Sequence, residues 1–86
     1  MKVALPSPLL DYTRGVREVS AHGETLALLL HDLDCQFPGI RFRMIDEQER
    51  VRPHIKLFVD GELTRDLQVP LASDSEVIIV AALSGG

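Results

Sequence analysis

Tryptophan is absent, cysteine occurs once, and three phenylalanines and one tyrosine are all the aromatic surface there is. The lone Cys35 cannot close an internal disulfide, so a chain of 86 residues must be held as one small domain by packing alone. That usage suits a reducing compartment, and a cytoplasmic location is expected. Positive charge is also scarce: nine Lys and Arg face thirteen Asp and Glu, a net charge of -4. The resulting field repels phosphate backbones and anionic lipid, so neither nucleic acid nor a membrane surface is an expected partner. The longest apolar run, Val77 to Leu83, is seven residues, whereas a membrane-spanning helix needs about twenty. Pro6 and Pro8 interrupt what would be the apolar stretch of a secretion signal.

Catalytic patterns are missing as well. There is no phosphate-cradling glycine loop, no Ser-His-Asp order and no paired-acid constellation, so an enzyme with its own active site is not expected. No metal and no bound cofactor are expected either. His22, His31 and His54 lie far apart; His31 and Cys35, four residues apart on one helix face, could supply two metal ligands, but a site needs two more. Two surface side chains are the plainer reading.

What remains is ordinary globular composition, 45% hydrophobic and 26% charged, which favours folding over disorder. Met1 to Leu5 reads as a strand stopped by Pro6-Ser7-Pro8, and Val16 to Ala21 alternates as a second strand, making a loose hairpin. From Thr25 the period changes: Leu26, Leu29, Leu30, Leu33 and Phe37 form one stripe of an α-helix. Thr25 is its natural N-cap and Pro38-Gly39 ends it, so the helix runs to about Gln36, with His31, Asp32 and Cys35 facing solvent. Apolar residues at 40, 42, 44 and 45 precede a solvated 46–50 loop, where a turn or short helix is expected. Ile55 to Val59 is a strand ending in the strong Asp60-Gly61 turn signal. Leu63 and Leu67 to Leu71, interrupted by Pro70, make at most a short or edge strand. Val77 to Ala81, apolar on both faces, reads as the central strand.

One long helix after a hairpin must cover one face of the sheet, which gives a two-layer α+β domain. Placing the first and last strands side by side in parallel, through a right-handed crossover, makes this the β-grasp arrangement, with a mixed sheet. We assign the domain to residues 1–82 and a flexible tail to residues 83–86. The central strand runs into Leu83-Ser84-Gly85-Gly86. Two glycines without side chains can extend into a narrow channel and present an α-carboxylate to another protein, although a frayed terminus has the same composition.

If Val77 and Ile79 face the helix, strand alternation puts Ile78 and Val80 on the other face beside Phe58. Left open, these three would form a partner-binding patch with Phe58 as its aromatic anchor; the alternative is that the 41–54 segment covers them.

Several motifs stand in an order that resembles a known family. They are Gly23-Glu24-Thr25-Leu26 at the helix start, Pro38-Gly39-Ile40 at its end, Arg52-Pro53-His54 before Ile55 to Glu62, Asp74-Ser75-Glu76-Val77, and the final Gly85-Gly86. The whole chain resembles the ubiquitin-like sulfur carrier proteins, which include the small subunit of molybdopterin synthase and the thiamin and cysteine-biosynthesis carriers. Leu5 to Leu10 and Thr13-Arg14-Gly15 look most like the cysteine-biosynthesis branch.

The resemblance implies chemistry at Gly86. An enzyme related to the ubiquitin-activating enzymes, using ATP, would adenylate its carboxylate, and sulfur would displace AMP to leave a thiocarboxylate for a downstream sulfur-accepting enzyme. Gly85, Ser84 and Leu83 would thread the partner's channel, with Leu83 an apolar anchor at its mouth. A chain ending on Gly86 would need no trimming first. The competing readings are a modifier joined to lysines through Gly86, a permanent small subunit with Gly86 in a larger subunit's active site, and a β-grasp binding module with an idle tail.

Overall fold

The computed structural model describes residues 1–82. Its elements, in order, are β1 (Lys2–Ala4), a 3₁₀ turn (Ser7–Thr13), β2 (Glu18–Ser20), α1 (Leu26–Gln36), a 3₁₀ turn (Arg41–Arg43), β3 (Ile55–Val59), β4 (Glu62–Thr64) and β5 (Glu76–Ala81). The strands form one sheet in the order β2-β1-β5-β3-β4. β1 and β5 are parallel, and β1 with β2, β3 with β5 and β3 with β4 are antiparallel. This mixed sheet with one long helix on one face is the β-grasp arrangement expected from the sequence, with β5 at its centre.

The helix forms where the leucine stripe places it. Thr25 caps it, its hydroxyl oxygen accepting from the Leu28 amide at 3.3 Å. Leu26, Leu29, Leu30 and Leu33 are fully buried against Val3, Leu57, Val77 and Ile79, and Ile40, Met44, Ile45, Val51 and Ile55 complete the core. Asp60 and Gly61 both adopt positive φ, 49° and 86°, as a two-residue hairpin turn between β3 and β4 requires.

Four local expectations differ. The hairpin connection contains a 3₁₀ turn: Pro8 presets its first turn, Leu9 is buried, and the Thr13 hydroxyl donates to the Val16 carbonyl at 2.7 Å. Residues 67–71 form no strand. The carbonyls of Val69 and Leu67 instead accept from the Leu26 and Ala27 amides at 3.0 and 2.8 Å, satisfying donors that the first helical turn leaves unpaired. Asp32 does not simply face solvent, because its Oδ2 accepts from the His22 amide at 2.9 Å and ties the helix to the end of β2. Phe42, grouped with apolar residues 40, 44 and 45, is 55% exposed while those three are buried, because the 3₁₀ turn rotates it outward.

Candidate functional site

The sheet buries one face and leaves the other open. Along β5 the pattern alternates: Val77 and Ile79 are buried under the helix, and Ile78 and Val80 are 37% and 39% exposed on the opposite face. The 41–54 segment therefore does not cover them. Strand pairing sets what surrounds them. Ile78 lies opposite Ala4 on β1 and Phe58 on β3, and Phe58 lies opposite Leu63 on β4, so Ala4, Ile78, Phe58 and Leu63 form one apolar row across four strands. Val80 lies in the next row of that face, paired with the exposed Lys56.

Phe58 is half-buried by its neighbours and Leu63 is 56% exposed. Sequence reasoning brought Phe58, Ile78 and Val80 together but missed Leu63, whose place follows from the two-residue turn at Asp60-Gly61. Counting back from that turn puts Leu63 across from Phe58, and this was the available signal. Lys2, Lys56 and Glu76 provide an exposed polar margin on the same face.

β5 leads from this patch to the end of the described chain. The Ala82 amide donates to the His54 carbonyl at 2.7 Å, so the backbone stays fastened to the segment before β3 up to that residue. Gly86, Gly85, Ser84 and Leu83, named above as reacting and threading residues, lie outside the described residues. His31 and Cys35 are exposed on α1, and among the described residues no three His, Cys, Asp or Glu side chains gather as a metal site. No described helix is long and apolar enough to cross a membrane.

Two carboxylates of the 41–52 connection are stabilised in their charged form by hydrogen bonds. The backbone amide of Arg50, and then that of Gln48, donate to Asp46 and hold its carboxyl below the usual aspartate value. Glu49 receives both terminal nitrogens of Arg41, at 2.9 and 3.1 Å, and that pairing lowers its carboxyl in the same sense. These contacts shape a loop and reach no reacting group.

An exposed apolar row on an open sheet face defines a class of protein that partners recognise. The sequence comparisons agree with that class. Residues 3–86 match the ThiS family, and the chain belongs to it. The sulfur carrier protein CysO of Mycobacterium bovis is 32% identical, the alignment covering 98% of this chain and 96% of that protein. Among solved structures, CysO in the Amycolatopsis orientalis BexX/CysO complex superposes with a TM-score of 0.90 at 27% identity, covering 99% of this chain and 98% of the other. SAMP1 from Haloferax volcanii has a TM-score of 0.79 at 25% identity, with coverage of 100% and 98%. The chain is thus a CysO-like sulfur carrier of the ThiS family.

Proposed function

We propose that this protein carries sulfur as a thiocarboxylate at Gly86, loaded by an ATP-dependent adenylating enzyme that docks on the Phe58-Ile78-Val80 face. The observation that supports this most is that β5, which carries Ile78 and Val80 on that face, leads directly to Ala82, the last described residue before the four named above. The step needs a partner because a carboxylate is a poor electrophile. One of its oxygens attacks the α-phosphorus of ATP and pyrophosphate leaves; a sulfur nucleophile then attacks the acyl carbon of the mixed anhydride and AMP leaves. Gly86 is the reacting residue, Gly85 and Ser84 thread the channel and Leu83 anchors its mouth.

Four residues extend to at most about 14 Å, so the partner's active site must lie close to the end of β5. A docking face on β5 meets that requirement and fixes orientation, which helps to make such a step effectively unimolecular. The CysO that this chain resembles in the BexX/CysO complex is held by a second protein, which supports a reading built on recognition.

The test is ATP–pyrophosphate exchange by the adenylating enzyme of the same host. Exchange should require this chain and vanish when Gly86 is deleted. Exchange that persists without Gly86 would overturn the assignment. Adenylation followed by conjugates of higher mass, with no sulfur uptake, would replace the carrier by a modifier that bonds to lysines.

A further inference from the structure

A second surface, where β5 ends, is not used by that account. Beside the end of β5 lies an open groove of about 750 Å³ lined by Tyr12, Phe42, Arg43, Arg52, His54 and Ala81, with Asp11 the one carboxylate among the residues that line it. The chain as a whole is acidic, at -4, yet this groove gathers two arginines and a histidine. Each arginine is held by an aromatic residue. Arg43 donates its Nε to the Tyr12 hydroxyl at 2.7 Å. Arg52 donates its Nε to the Phe42 carbonyl at 2.7 Å, and its guanidinium lies 4.6 Å from the centre of the Phe42 ring.

The two salt bridges of the described residues, Lys2 with Glu18 and Arg41 with Glu49, involve neither guanidinium. With Nε engaged, the terminal nitrogens of Arg43 and Arg52 make no hydrogen bond among the described residues. Paired terminal N–H groups on a planar fork match a carboxylate. Because the Nε of each is already hydrogen-bonded, and Arg52 also stacks on Phe42, capturing one costs less ordering entropy than it would for untethered arginines. This arrangement also explains why Phe42 stands exposed: it supports Arg52.

We propose that this groove is a docking point for an acidic polypeptide segment, whose carboxylates are received by Arg43 and Arg52, on the enzyme that acts on the tail. The choice of enzyme rests on the carrier reading, and the position of the groove selects it. Ala81 lines the groove and the Ala82 amide is bonded to the His54 carbonyl, so a segment seated there lies where the chain leaves the sheet. The Phe58-Ile78 row then supplies apolar contact and the groove supplies charge, which favours correct encounter.

The test has two arms. In the first, NMR of the full chain is recorded with a capped hexaglutamate peptide. The Arg43 and Arg52 Nε resonances and the His54 amide should shift, hexalysine should cause no shift there, and the response should disappear in the R43E/R52E variant with its circular dichroism unchanged. In the second, loading by the host's adenylating enzyme should show KM raised about tenfold or more in R43E/R52E, with kcat little changed and R43K/R52K restoring most of the loss. A peptide response that survives R43E/R52E, or an unchanged KM in a reaction that loads the wild type, overturns the proposal. So does a chain whose Arg43 and Arg52 signals move only on deletion of residues 83–86, which would put its own tail in the groove. If the wild type is never loaded, the carrier reading fails while the peptide arm still judges the groove.

Discussion

Ile78 and Ile79 are adjacent, chemically identical and in the same central strand, yet one is 37% exposed and the other 2%. The pleat turns one toward the helix, where it meets the leucine stripe, and the other toward solvent, where it joins Phe58 and Leu63. Burial accounts for the inner residue. Nothing in the stability of the domain requires an isoleucine at the outer position, where a threonine would pair equally well in the strand. Of the two, the outer face carries the information about function.

Substitutions on the two faces should therefore separate stability from recognition. The largest loss is expected inside: Ile79→Ala or Leu29→Ala should cost about 2–5 kcal/mol in urea unfolding, because each opens a cavity in a closed core. Gly23→Ala belongs with these, since an added methyl would meet the backbone of Leu28 and Leu29, which cannot swing aside as a side chain could. Its melting temperature should fall even though residue 23 is outside both helix and sheet.

Ile78→Ala and Phe58→Ala should each cost no more than about 1 kcal/mol, the worth of cross-strand pairs, while raising the KM for loading about tenfold or more. If Phe58→Ala proves as destabilising as Leu29→Ala, Phe58 belongs to the core and the division between faces fails at that position. Leu63→Ser, at the edge of the row, should shift KM less than Phe58→Ala and leave the unfolding midpoint nearly unchanged, which urea titration and initial rates together would check.

The smallest effect is expected from acid. Asp46 and Glu49 titrate lower in the folded protein than in the unfolded chain, so what they contribute is complete above the unfolded carboxylate pKa, near 4, and is lost as pH falls through the folded values. Protection of the 46–50 amides, measured against their intrinsic exchange rates, should fall below about pH 4, and Asp46→Asn should weaken that dependence. An unaltered pH profile in the variant would mean that these hydrogen bonds do not hold the loop.

The parts of the fold legible in the sequence were those with a local period or a local turn: the stripe from Leu26 to Phe37, the Asp60-Gly61 hairpin and the Val77–Ala81 strand. Pairing β1 with β5 also followed, because one helix crossing between two strands leaves few other arrangements. The 67–69 carbonyls that receive the helix amides left no trace, since backbone hydrogen bonds between distant segments impose no side-chain pattern. The same holds for the groove. Tyr12 and Arg43 are 31 residues apart, and only the fold brings a tyrosine of the hairpin connection against the 3₁₀ turn after the helix. Ile78, Val80 and Phe58 could be placed on one face by counting alternate residues, whereas Leu63 needed the register of a fourth strand.

The central claim is that the chain carries sulfur at its last residue. The intact mass of the protein, after incubation with ATP, sulfide and the adenylating enzyme of the same host, tests it most directly when wild type and the Gly86 deletion are run side by side. The account predicts a rise equal to exchanging one oxygen for one sulfur, confined to the wild type and slowed by Ile78→Ala. An unchanged wild-type mass, with an enzyme shown to adenylate the chain, would contradict it.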